Sequence, residues 1–252
     1  MKSYRVESGA KALLVERTAL EAGVPTLADG LEIELAPGAE LEHYVLLDGP
    51  AGRGYEGRLR VRQAQGSRFR SWSLLAGWDR ARLDIDVTLE GPGADCFLGG
   101  LYLGRRAQDL GLTTRVSHVA GDARSEEFYQ GILADHARAS FAGRIHVAKQ
   151  AAGTDSRQLN HNLLLSDDAW AETRPELEVY ADQVQCAHGA TCGRLDEEAL
   201  FYLRSRGLSA LEARRMLILA FAERVLGRIE HSTLREECSA RTGAWLAEGW
   251  AS

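Results

Sequence analysis

The sequence predicts a mainly β protein that closes with a small α-helical unit. Three observations carry that expectation. Alternation of apolar and polar residues with a period of two dominates from about residue 24 to residue 181, as expected for half-buried strands. After Gly193 the period changes to that of amphipathic helices. Glycine is abundant and proline scarce, 26 against 5, a balance that suits turns and close backbone approaches rather than a disordered or collagen-like chain.

Taken in order, residues 11–22 are the early stretch that suits a helix or a turn. Residues 31–35 (Leu-Glu-Ile-Glu-Leu) and 82–89 (Arg-Leu-Asp-Ile-Asp-Val-Thr-Leu) alternate strictly, and shorter pieces follow the same rule at 59–61, 69–74, 116–119, 145–147 and 177–180. Turn signals separate them at Pro37-Gly38, Gly91-Pro92-Gly93 and Ala120-Gly121-Asp122. An aromatic-x-Gly-x-(Leu or Ile) pattern recurs around Gly57, Gly99, Gly131 and Gly143 without a fixed period. As a repeat it suggests strands stacked in successive coils, with glycine where a coil bends or backbones approach. A β-sandwich is the competing arrangement. The division falls at residues 1–194 for the β core and its short N-terminal segment, and 195–252 for the helices.

In the second unit, Asp196 is an N-cap and Glu197 and Glu198 supply first-turn acids, while Gly207 is a natural stop. Ser209 and Glu212 form a capping box for a second helix. Its apolar positions Leu211, Leu217, Ile218, Phe221, Val225 and Ile229 are expected to form one buried stripe. A third helix is expected over 233–248.

Length and charge exclude several classes of function. With 252 residues and a formal net charge of −6, the chain can bury a full core and lacks the basic footprint of a general nucleic-acid or anionic-membrane binder. Four cysteines (Cys96, Cys186, Cys192, Cys238) fit free or metal-binding thiols in a reducing compartment. No apolar leader follows Met1-Lys2-Ser3, and no run is long enough to span a bilayer, so a cytoplasmic location is expected.

The densest group of reactive side chains is Cys186-Ala187-His188-Gly189-Ala190-Thr191-Cys192. On a strand, Cys186 and His188 project to one face and together suit iron or zinc. Cys192 joins them only if the chain bends back at Gly189. Even three ligands leave a tetrahedral site incomplete, so a further ligand must come from elsewhere or from a partner. The plainer reading makes Cys186 a small buried hydrophobe and His188 its hydrogen-bonded neighbour. His161 reads as structural. Ser125-Glu126-Glu127, Asp84/Asp86 and Asp167/Asp168 are candidate acid–base carboxylates, but solvated faces and turns explain them more simply. The P-loop, Gly-x-Ser-x-Gly and His-Glu-x-x-His patterns are absent, so nothing marks a self-sufficient enzyme.

Residues 160–207 carry a family resemblance. They run from Asn160-His161-Asn162-Leu163-Leu164-Leu165, through Gln185-Cys186-Ala187-His188-Gly189-Ala190-Thr191, to Leu195-Asp196-Glu197-Glu198-Ala199-Leu200-Phe201-Tyr202-Leu203-Arg204-Ser205-Arg206-Gly207. The segment resembles the SufB/SufD family of iron–sulfur cluster assembly scaffolds, and SufD more than SufB. The resemblance implies a right-handed parallel β-helix followed by a C-terminal helical domain. It implies a non-catalytic subunit of a SufB–SufC–SufD-type complex, with a SufC-like ATPase and a SufB-like paralogue, or a second copy of the chain, as partners. His188 matches the histidine of the interface site and Cys186 the nearby family cysteine, two candidate metal ligands where iron or a nascent cluster would be held transiently and not as a tightly bound cofactor. Asp196, Glu197, Glu198, Phe201, Tyr202, Arg204 and Arg206 fall in the ATPase-docking motif. Two departures argue against the SufB role: no cysteine stands among Asn160, His161 and Asn162, and Gly189 replaces a glutamate. The chain is also shorter than members that carry a helical N-terminal domain. The alternative from another class is a cytoplasmic β-helix polysaccharide lyase or hydrolase.

Overall fold

A computed structural model describes residues 2–17, 26–50 and 52–249. Alternating strands deliver one strand per coil to each of two parallel sheets. One sheet holds β1 (Lys2–Val6), β3 (Thr26–Leu35), β5 (Gly54–Gln63), β7 (Arg80–Leu89), β9 (Asp109–His118), β11 (Arg138–Val147) and β13 (Trp170–Val179). The other holds β2 (Lys11–Arg17), β4 (Glu40–Asp48), β6 (Arg68–Ala76), β8 (Asp95–Gly104), β10 (Arg124–Leu133), β12 (Asp155–Leu164) and β14 (Gln185–Gly193). Each strand pairs in parallel with the strand two places on, as Arg124↔Asp155 and Arg138↔Trp170 illustrate. This is a parallel β-solenoid, and its all-parallel ladders exclude the sandwich. The stretch expected to open with a helix or turn is strand β2 over residues 11–17; residues 18–22 lie outside the described residues.

The repeat that builds the coils differs from the one the aromatic-glycine pattern suggested. Gly9, Gly38, Gly66, Gly93, Asp122, Gly153 and Gln183 all adopt positive φ, at intervals of 27 to 31 residues. They form one corner column, and backbone hydrogen bonds climb it: Gly9 N–H donates to the Pro37 carbonyl and Gly38 N–H to that of Gln65. The pattern glycines lie inside strands and out of register with one another, Gly99 opposite Phe128 and Gly131 opposite Tyr102. Gly57, Gly99 and Gly131 make room for rings, and Gly143 for the Gln158 side chain. A Cβ on Gly131 would fall 2.1 Å from the Tyr102 ring.

The solenoid interior is apolar over most of its length, with Ile33, Val61, Phe69, Ile85, Leu98 and Phe141 nearly or wholly buried. The outer face of the odd-numbered sheet is open and laced with cross-strand pairs such as Arg62–Glu90 and Arg144–Glu176, which add solubility more than stability.

From β4 to β10 the even-numbered sheet is buried on both faces. Its outer side carries Tyr44, Trp72, Phe97, Phe128 and Leu101, which share a second core with the C-terminal helices. Helix α1 (Glu197–Ser205) is capped by Asp196 and followed by Gly207 at φ +99°; α2 (Ala210–Leu226) opens with the Ser209–Glu212 capping box; α3 (Ser232–Ala247) follows. The buried stripe of α2 is narrower than the sequence suggested. Ile218, Ala222, Val225 and Leu226 face the sheet, with Ile229 beyond the helix end, whereas Leu217 and Phe221 are half-buried and Leu211 is 52% exposed. Leu211 sits in the first turn, beyond the edge of the sheet contact. Among the described residues no helix is long and apolar enough to cross a membrane.

Candidate functional site

The two sheets end together on β13 and β14, so the last coil offers an edge on each side. On β12 the residues Ser156, Gln158, Asn160 and Asn162 are buried, which places them on the interior face. Their register partners on β14 are Cys186, His188, Ala190 and Cys192. The Cys–His pair therefore shares one face, as the two-residue spacing requires, and that face is the mouth of the solenoid.

Cys186 is half-buried and packs with Leu177 and Val184 against the small cluster of Ile145, Val147, Ala151 and Ala181. Loss of water around the thiol pushes its pKa up, and the Asp155 carboxylate adds to this, while a backbone hydrogen bond at Ser156 opposes it. His188, two residues on, is exposed. Strand β14 runs on unbent to Gly193, so Gly189 does not fold the chain back. At roughly 3.3 Å per residue, Cys192 stands about 20 Å from Cys186, too far to share an ion with it. Its own thiol is also raised, by burial, with Asn162 opposing. Among the described residues no three His, Cys, Asp or Glu side chains converge as a metal site. Cys186 and His188 thus offer two donors, a soft sulfur and an imidazole, at an open edge.

Behind the mouth the interior turns polar, which the alternation rule did not foresee. Tyr102 donates to Asn162 at 2.5 Å and accepts from Asn160 at 2.9 Å. His118 Nε2 meets Ser125 Oγ at 2.8 Å, and Ser125 meets Ser156 at 2.7 Å. Glu127 accepts from Gln158 at 2.8 Å. Ser125 and Glu127 were expected on a solvated face, yet they are 2% and 1% exposed. On β12 the polar residues point in, and Leu159 points out. The readable signal was the Ser-x-Gln-x-Asn-x-Asn spacing itself, a strand alternation with inverted polarity. His161 lies on the outer face, with Nδ1 2.6 Å from Thr191 Oγ1 and its ring edge-on to Phe128. Asp84, Asp167 and Asp168 sit in surface pairs with Arg58, Arg194 and His136.

The second group of sequence-selected residues lies on α1. The Asp196 carboxylate caps the helix, accepting from Glu198 N–H at 2.9 Å and Ala199 N–H at 3.3 Å. Glu197, Glu198 and Arg204 are exposed, and the Arg206 guanidinium lies 5.2 Å from the Tyr202 ring centroid. Phe201 and Tyr202 are 74% and 55% exposed. Leu211, Met216 and Leu219 of α2 add further exposed apolar side chains. Sequence reasoning missed these, having placed Leu211 in the core.

Comparison with known families decides what this architecture is. The family model described as SUF system FeS cluster assembly, SufBD core domain, matches residues 4–221. The chain belongs to the SufBD family. Among its relatives, the iron–sulfur cluster assembly protein SufD of Escherichia coli K12 is 34% identical over 218 residues, covering 86% of this chain and 51% of the relative. A SufBD family protein of Synechocystis is 34% identical over 177 residues, covering 69% and 39%. One from Mycobacterium tuberculosis H37Rv is 30% identical over 226 residues, covering 86% and 57%. This SufBD chain thus spans about half the length of the curated relatives it matches. The match takes in the whole described solenoid from β2 onward, together with α1 and most of α2.

Proposed function

We propose that this SufBD-family chain is a SufD-like scaffold subunit for iron–sulfur cluster assembly. The observation that carries the reading is the Cys186–His188 row on the edge strand β14, which pairs with β12 on one side only. An edge strand offers its free backbone groups to another chain, and two donors need a second subunit to complete a coordination shell. The partner at this edge is a SufB-like paralogue or a second copy of the chain. Iron or the nascent cluster is cargo held across that interface, with His188 as a ligand, and no tightly bound cofactor belongs to the isolated chain.

The exposed Phe201 and Tyr202, flanked by Glu197, Glu198, Arg204 and Arg206, support docking of an ABC-type SufC-like ATPase on α1. ATP hydrolysis then belongs to that partner, and this subunit is non-catalytic. The setting is a reducing one, the cytoplasm, where free thiols persist.

Affinity capture of the full chain from its native cell tests the partners. Co-purification of a SufC-like ATPase with a SufB-like paralogue is expected, and recovery of neither overturns the reading. For the site, His188→Ala should leave the assembled complex intact and reduce cluster formation followed by visible absorbance. Unchanged cluster formation removes His188 from the role.

A further inference from the structure

A cavity of about 240 Å³ lies where the end of α3 meets a solenoid corner. It is remote from the mouth at β14, and its chemistry is independent of the scaffold role. Three arginines line it: Arg105 and Arg106 from the corner between β8 and β9, and Arg241 from α3. Three arginines brought together from segments far apart in sequence repel one another, and their guanidinium forks match oxyanions.

Arg105 is the built-in member. It is 5% exposed, and its guanidinium stacks 4.2 Å from the Trp245 ring centroid. Its Nη1 donates to Glu248 Oε2 at 2.9 Å and its Nη2 to the Trp245 carbonyl. Its Nε and the Trp245 Nε1 are buried donors with no acceptor, a costly state for polar groups. Arg106 occupies the left-handed region at φ 54°, with its backbone N–H bonded to Asp135 Oδ2 at 2.8 Å. The positions with positive φ along the same corner are Gly52, Gly77 and Asp135, residues that tolerate that conformation better than arginine.

Two carboxylates, Asp48 and Glu248, also line the cavity, and Glu237 reaches Arg241 Nη2 at 3.4 Å from outside it, so the surplus of one positive charge is that of the lining side chains alone. They are the solvent-side members: the Glu248 side chain is 63% exposed and that of Asp48 47%, against 7% for Arg105. Each already sits on a guanidinium, Glu248 on Arg105 and Asp48 on Arg241, so neither is free for a cation. The Trp245 carbonyl, at the negative end of the α3 dipole, is covered by Arg105 and does not face an incoming anion bare.

We propose that this cavity binds a small phosphate monoester, its phosphoryl oxygens shared among Arg105, Arg106 and Arg241. Three forks outnumber what a single carboxylate can accept. The volume falls just below the roughly 300–1,000 Å³ of drug-sized ligand pockets, which suits a phosphoryl group with a few carbons attached better than a dinucleotide. Glu248 is the internal competitor that the ligand displaces.

The test uses the full chain with inorganic phosphate and glycerol 3-phosphate as probes. Binding is followed by calorimetry and by thermal unfolding, with ionic strength held constant by chloride. Saturable binding of glycerol 3-phosphate is expected, tighter than that of inorganic phosphate. Equal binding of the two probes overturns the assignment to a monoester. Arg106→Gln, at an exposed position, should weaken binding about tenfold without changing the unfolding temperature of the free protein. Glu248→Gln should strengthen it several-fold, which a purely structural role for Arg105 as the α3 cap would not do. Absence of saturable binding up to about 20 mM of either probe, or equal affinity in Arg106→Gln and the parent chain, overturns the proposal.

Discussion

Glu127 makes the stability of the solenoid depend on pH in a calculable way. Its carboxyl is 1% exposed inside the coil, and loss of water pushes its pKa from an ordinary 4.5 up to about 7, opposed by the neighbouring Thr114 hydroxyl and the hydrogen bond from Gln158. A raised acid binds its proton in the native state and releases it in the unfolded chain. Its stabilisation is therefore complete below the unfolded pKa and lost as pH rises through the folded one. The window is pH 4.5 to 7, and the amplitude is roughly 3 kcal/mol as an upper figure. His118, in the same interior, acts in the opposite sense. Burial lowers its pKa to about 4, so its contribution disappears as pH falls from 6.5. The two slopes largely cancel in the parent protein, and a comparison with Glu127→Gln isolates the first. The amide keeps the shape and still accepts from Gln158, so the variant removes only the titration. Urea unfolding at pH 5 and pH 8 should show the variant gaining on the parent by about 2–3 kcal/mol between the two. On thermal unfolding that is a relative shift of several degrees for a chain this size. A stability difference independent of pH would refute the reasoning, because it would mean that Glu127 keeps one charge state in both forms.

Other consequences are more local. Gly131→Ala places a methyl group 2.1 Å from the Tyr102 ring and 2.4 Å from Asn162 Oδ1, and should cost about 1–3 kcal/mol in denaturant unfolding. Ser209→Ala removes the α2 capping box and should cost about 1 kcal/mol, read in the same assay. With a maleimide, the exposed Cys192 should react first and the half-buried Cys186 more slowly, while Cys96 and Cys238 stay protected until unfolding. Both accessible thiols are raised, so their labelling should accelerate as pH climbs from 7 to 9. Phe201→Ser, at a side chain 74% exposed, should leave the unfolding midpoint unchanged and abolish retention of the proposed ATPase partner, read by affinity capture.

Local chemistry is written in local sequence, and there the residues were legible. Period-two alternation follows from the pleat, so 31–35 and 82–89 could be only strands. Asp196, Ser209–Glu212 and Gly207 mark helix ends because the groups they satisfy or the conformation they adopt lie within a few residues. The two-residue spacing of Cys186 and His188 placed them on one face before any fold was known. What the tertiary structure alone decided is which face is inside and what lies opposite. In β12 it turned Gln158, Asn160 and Asn162 inward because Tyr102, Glu127 and the neighbouring coil supply their hydrogen bonds, partners drawn from residues 31 to 60 positions away. In α2 it left Leu211 in water, at the start of a helix that meets the sheet chiefly along β8 and β10. A hydrophobic pattern reports each residue's own preference for water; only the packed coils fix whether a polar side chain finds a buried partner or an apolar one finds a surface to cover it.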